Sequence, residues 1–312
     1  MAGTPLERLS DNSKQHIGFI AVLTISCVIF HRALGDLLQY ALRDASNSHI
    51  LLIPGIVIFL IYLERREIFA VSQTEFAWGG CLAAFAMALY WLAARASAIQ
   101  KGNWPFCLEI LAIVILWSAG FLLFYGFSAV RAAAFPLLFS LLMVPLPDAL
   151  LDRMIYALQE GSTDLTYLIF QAVGTPVMRH GFLLSLPGVT IEVAKECSSI
   201  RSSIALLITC LLAAHMYLRT AWRVLFFILL ALFVSVVKNA IRIATLTLLS
   251  IHVDPGFLTG RLHREGGFVF FLLAIAILFP VLLWLHKSEN KRNQLTSVDG
   301  RTKAGPGLVS EL

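Results

Sequence analysis

Charge is scarce in this chain. Asp, Glu, Lys and Arg make up only 14% of its 312 residues, where a soluble domain carries about 25%. With 58% hydrophobic residues and a mean hydropathy of +0.80, that shortage excludes an ordinary water-soluble globule and points to a multi-pass membrane protein. Cysteine is sparse too. Cys27, Cys81, Cys107, Cys197 and Cys210 are scattered, with no CxxC pair and no metal-ligand spacing, so no metal or cofactor is expected. No basic stripe or aromatic–basic interleaving is present, which speaks against nucleic acid as a partner. The net charge of +5 instead suits basic loops facing anionic lipid. No internal repeat stands out. The stretch Met1 to Lys14 is polar and no small-residue cleavage site follows Cys27, so the first apolar run is read as a retained helix.

What is present is a series of apolar runs near the length of about 20 residues that a bilayer crossing needs. Eight are read, at 17–34, 49–63, 76–94, 107–125, 132–146, 198–218, 221–249 and 267–286. With the N-terminus inside, lysine and arginine fall twelve to nine in favour of the inner segments, which sets both termini inside. The one long loop, 147–197, then lies outside. From Asp148 to Val173 its apolar residues Leu150, Leu151, Met154, Ile155 and Leu158 follow the spacing of an amphipathic helix. From Val177 to Val193, short β-rich runs alternate with Gly181, Pro187 and Gly188, the pattern of a hairpin. The expected fold is an all-α membrane protein. It is a polytopic bundle of about eight transmembrane helices with an outer-face amphipathic helix and a short hairpin. Residues 1–286 would form one integral-membrane domain and 287–312 a cytoplasmic disordered tail, rich in Gly near its end.

Three polar residues fall at one depth in this threading. Cys197, in Glu196-Cys197-Ser198-Ser199-Ile200-Arg201, stands where the hairpin hands over to the sixth span. A thiol at a helix N-terminus sees unpaired amides and the helix dipole, which favour the thiolate. The competing reading is a buried helix-start cysteine capped by serines. Arg242 lies near the outer end of the seventh span, with Asn239 and Lys238 three and four residues before it on one face. Arg242 alone could snorkel to the headgroups, but an intramembrane charge one turn deeper is costly and by default functional. His263 precedes the eighth span; a lone loop histidine is ordinarily just solvated, and depth is what singles this one out. Thiol, guanidinium and imidazole together are the parts of a cysteine acyl-transfer site. His49 also faces the outer surface.

Several segments carry a family resemblance. They are Ser48-His49 with the run to Glu64-Arg65-Arg66; Phe135-Pro136-Leu137-Leu138-Phe139 through Pro145-Leu146-Pro147; Glu192-Val193 through Glu196-Cys197-Ser198 with Ile200-Arg201; Asn239-Ala240-Ile241-Arg242; and His263 with Gly266. In this order they resemble the exosortases and archaeosortases, multi-pass membrane proteins regarded as cysteine transpeptidases. The resemblance implies that Cys197 is the nucleophile, His263 the general acid/base and Arg242 the oxyanion-stabilising group, with Arg201, Asn239, Glu196 and His49 in support. It also implies protein substrates bearing a C-terminal PEP-type motif, hydrophobic helix and basic tail, an unidentified acceptor, and a site on the outer face of the cell inner membrane. One departure is Ser199, where the family usually has glycine. A polysaccharide-export or solute-transport component, with Lys238 and Arg242 binding an anion, is the alternative; the lack of an inverted repeat tells against it.

Overall fold

Backbone groups inside a bilayer must be satisfied within the chain, so apolar runs of spanning length fold as helices. A computed structural model of the protein describes residues 5–43, 45–71, 73–97, 99, 102–194, 200–258 and 267–303. Among them six helices are long and apolar enough to cross a membrane, or up to eight if each of two bent pairs is one span. The protein is an all-α multi-pass membrane protein with one small sheet. Its chain divides into two units, Met1–Arg153 and Met154–Leu312.

In the first unit, α1 (Pro5–Ile29) meets α2 (His31–Arg43) at a bend of 76°. The run read as one span over 17–34 is therefore broken at Phe30. Phe30 is buried there, its ring 4.6 Å from that of Tyr90. Beyond it α2 turns Ala33, Leu37 and Ala41 inward and exposes Arg32, Asp36, Gln39 and Arg43. A straight continuation would carry that charged face into hydrocarbon, at a cost the bend avoids. A 3-10 turn over Ala45–Leu51 then leads into α3 (Ile53–Leu63) and the short α4 (Arg65–Ile68).

Helices α5 (Phe76–Ser97) and α6 (Trp104–Ala132) pack closely. Pro105 sits in the first turn of α6, where its missing N–H costs nothing. α6 does not end near residue 125, as the polar stretch after it suggests; it runs on through a kink at Gly126, whose φ is +78°. The chain at 73–75 passes alongside, Gln73 N donating to Tyr125 O at 3.3 Å and Glu75 N to Leu123 O at 3.0 Å. A Cβ at position 126 would stand 2.2 Å from Gln73 O, so both φ and space require glycine. Phe121, Tyr125, Ala129, Ala133 and Ile68 form the apolar centre at this end. The run read as a fifth span over 132–146 is α7 (Ala134–Phe139) and a 3-10 turn to Met143, too short to cross alone and bent against α8 (Asp148–Ala172).

α8 is the helix expected from the apolar spacing, and its half-buried Leu151, Met154, Ile155 and Leu158 lead into the buried stripe on the same face, with Asp152, Arg153 and Glu160 exposed opposite. Gln159, Ser162, Thr163 and Thr166 point inward with Phe170, while Leu150, Tyr156 and Leu168 are exposed. The segment read as a hairpin has three strands, β1 (Met178–His180), β2 (Leu183–Leu186) and β3 (Val189–Glu192), an antiparallel meander in that order. Two turns need two residues at positive φ, and Gly181 at +62° and Gly188 at +84° supply them. Leu184, Leu186 and Val193 pack on Phe170 of α8.

Helices α9 (Ile200–Tyr217), α10 (Ala221–His252) and α11 (Gly267–Lys303) complete the second unit. Their shared core holds Leu206 to Leu218, Phe227 to Val234, and Ala274 to Leu285. At the far end His286 Nδ1 lies 2.7 Å from Tyr217 O, and Arg223 Nη1 donates to Leu285 O at 2.7 Å. α9 and α11 thus run the same way and α10 runs against them, so the starts of α9 and α11 and the end of α10 share one end. α11 continues as helix past Lys287, where composition marks the start of a tail. The Gly-Pro-Gly stretch at 305–307 lies outside the described residues.

Candidate functional site

α10 has 32 residues, about 48 Å at 1.5 Å per residue, longer than a hydrocarbon core of about 30 Å. Between Arg223 and the last turn its charged residues are Lys238 and Arg242, which share one face. Lys238 is 2% exposed and Asn239 1%, which demands partners, since a buried polar group without a hydrogen bond is costly. They are found on α8 and α9. Lys238 Nζ donates to Ser202 Oγ, on the first turn of α9. One turn back, Ser235 Oγ donates to Ser203 Oγ at 2.6 Å. On the other side Asn239 Nδ2 donates to Ser162 Oγ at 3.0 Å, and Thr166 Oγ1 to Ser162 O at 2.6 Å. A buried, hydrogen-bonded polar seam therefore runs between three helices.

Arg242 is one turn beyond Lys238 on the same face and half-buried, with its Nε enclosed. Two cations so placed make the end of this seam a region that favours negative charge, the property an oxyanion-stabilising site needs. The meander closes over α8 nearby. Arg179 pairs with Asp164 and its Nε donates to Gly181 O at 3.0 Å. Val193, close to the last described residue before α9, is buried; its N donates to Phe182 O at 3.0 Å, and Gln159 Nε2 donates to its carbonyl.

Of the residues singled out from the sequence, Asn239 and Arg242 stand together on α10, and Arg201 is exposed on the first turn of α9. His49 belongs to the first unit, in the 3-10 turn, its Nδ1 3.1 Å from Ser46 O. Cys197, Glu196 and His263 lie outside the described residues. Sequence reasoning missed the hydroxyls of Ser162, Thr166, Ser202, Ser203 and Ser235. The signal was present as polar residues at helical spacing inside runs that lipid should make apolar, 159, 162, 163 and 166 on α8 above all. Among the described residues no group of three His, Cys, Asp or Glu could hold a metal ion.

These features define a multi-pass membrane protein with a buried, cation-bearing seam near one end of its second unit. Residues 41–280 match the family described as transmembrane exosortase (Exosortase_EpsH), and the chain belongs to that family. No curated protein and no solved structure matches it.

Proposed function

We propose that this protein is a membrane cysteine transpeptidase that cleaves C-terminal PEP-type sorting signals of exported proteins at the outer face of the cell inner membrane. The observation that carries the reading is the family match over 41–280, a span that includes Cys197, Arg242 and His263. Chain connectivity agrees with it. Cys197 is three residues before Ile200 and His263 four before Gly267, the first described residues of two helices that start at the same end. At 3.8 Å per residue, their Cα atoms stand within about 11 Å and about 15 Å of those helix starts. Arg242 lies toward that end of α10.

In the proposed reaction the Cys197 thiolate attacks the scissile carbonyl, forming a C–S bond, and Arg242 stabilises the oxyanion. His263 protonates the amine as the C–N bond breaks. The thioester then passes to an amine or hydroxyl acceptor, His263 taking the acceptor's proton. A site shielded at the membrane surface favours such transfer over hydrolysis. The substrate's own hydrophobic helix, in the bilayer, sets its motif at the depth of the thiol.

Co-expression with a protein bearing a PEP-type tail tests this. Cys197→Ala and His263→Ala should abolish processing while the protein remains inserted. Arg242→Lys should slow it, because an ammonium does not reproduce the guanidinium fork. Normal processing in Cys197→Ala overturns the nucleophile. Labelling of Cys197 by an impermeant thiol reagent only after the inner membrane is permeabilised overturns the outer-face placement.

A further inference from the structure

Within the first unit, α1, α3, α6 and α7 enclose a partly open cavity of about 270 Å³. Phe19, Leu23 and Cys27 line it from α1, and Ile53, Val57 and Ile61 from α3, each set at four-residue spacing along one helix face. The polar groups of its wall are already engaged. Ser118 Oγ donates to Val114 O at 3.0 Å, Ser140 Oγ to Leu137 O at 2.6 Å, and Trp117 Nε1 to Ser26 Oγ at 2.9 Å. Water needs two to four polar partners to occupy a cavity, so this one is a site for hydrocarbon.

Size decides which hydrocarbon. An α-helix is about 10 Å across, and one turn of it needs about 400 Å³, so a substrate's transmembrane helix does not fit. An apolar cavity of about 150 Å³ holds one benzene; in proportion, this one holds roughly ten carbons in a row. Ile58 is part of the wall and 69% exposed, so the cavity reaches the outer surface of helices long and apolar enough to span a membrane. A lipid chain has direct access.

The headgroup end is marked by charge. Arg65, the first residue of α4, follows Ile61 by four residues, and both it and Arg66 are exposed. The Arg65 guanidinium lies 4.0 Å above the Tyr62 ring and gives one N–H to Tyr62 O at 2.8 Å, which fixes a planar donor fork a few residues past Ile61, the last residue of α3 to line the cavity. Glu64 and Glu67 flank the pair. We infer that the cavity seats one acyl chain of an anionic bilayer phospholipid, with its phosphate at Arg65 and Arg66.

The test is photo-crosslinking of the full-length protein in vesicles. Phosphatidylglycerol or phosphatidylcholine carries a diazirine at mid-chain, and adducts are mapped by mass spectrometry. Adducts should concentrate on the α1 and α3 wall, severalfold more from phosphatidylglycerol. Val57→Trp, which fills the cavity, should remove them while labelling of other helix faces persists; Cys27→Phe serves the same purpose should Val57→Trp fail to fold. Arg65→Gln with Arg66→Gln should level the two lipids. Adducts spread evenly over exposed helix faces, wall adducts untouched by a folded filling variant, or equal labelling by both lipids in the wild type would each overturn the proposal. Processing of the PEP-type tail by the same samples reports separately on the transpeptidase.

Discussion

Glu289 offers the sharpest test of how the second unit is held together. It lies on α11 two residues past Lys287, yet its side chain is only 4% exposed. Its carboxylate accepts from Arg219 N at 3.1 Å and from the Thr220 hydroxyl, at the turn between α9 and α10. Thr220, the N-cap of α10, makes no capping bond of its own, so the neighbouring helix supplies the anion that this N-terminus wants. Glu289→Ala removes a charged acceptor worth about 1.5–3 kcal/mol and a favourable dipole interaction of about 0.3–1 kcal/mol. The expected loss is about 2–4 kcal/mol. At about 2–4 °C per kcal/mol for a chain of this order of size, the thermal midpoint in detergent, read by size-exclusion chromatography after heating, should fall by roughly 5–15 °C. Glu289→Gln keeps one acceptor oxygen and should recover part of that. Processing at permissive temperature should survive both changes, because this turn lies at the opposite end from the start of α9. An unchanged midpoint in Glu289→Ala would refute the capping argument, and Glu289→Gln as damaging as alanine would refute the acceptor count.

Two further predictions concern stability. Gly126→Ala forces a side chain into positive φ and against Gln73 O, and should cost about 1–3 kcal/mol, seen as a lower midpoint and less folded protein. Gly35→Ala, within α2 and with nothing near its missing Cβ, should instead be neutral or raise stability by up to about 1 kcal/mol. In the seam, Ser162→Ala and Asn239→Ala break the same hydrogen bond, so a double-mutant cycle on the midpoint should show them less than additive, with a coupling of about 1 kcal/mol; strict additivity would mean the two side chains do not share that bond.

Much of the fold is legible in the sequence because lipid imposes a single rule on length and apolarity. The runs at 76–94, 198–218 and 221–249 lie within α5, α9 with the residues flanking it, and α10, differing mainly at their ends. The break at Phe30 is not legible, since neither proline nor glycine marks it; the charged face of α2 sets it, and that face matters only once the helix meets a bilayer. On α8 the run of Leu151, Met154, Ile155 and Leu158 gives the inward face over the first half of the helix, but not that Gln159 and the hydroxyls take that face over further on. At the candidate site, the i, i+1, i+4 spacing of Lys238, Asn239 and Arg242 gives their shared face directly. Their partners come from segments 36 to 77 residues away in the chain, a pairing that no local pattern carries.

The inward stripe of α8 also governs where the chain tolerates insertions. Gln159, Ser162, Thr163, Thr166 and Phe170 face one way only while the helix keeps its count. One residue added after Asp164 rotates everything beyond it by about 100°, so hydroxyls on one side of the addition would face lipid while those on the other stayed home. An added residue at the glycine turns 181 or 188 leaves that phase untouched. Length variation among natural relatives should therefore collect in the meander's turns and avoid the stretch 159–170, where the helix acts as a combination lock whose tumblers are, but for Phe170, polar.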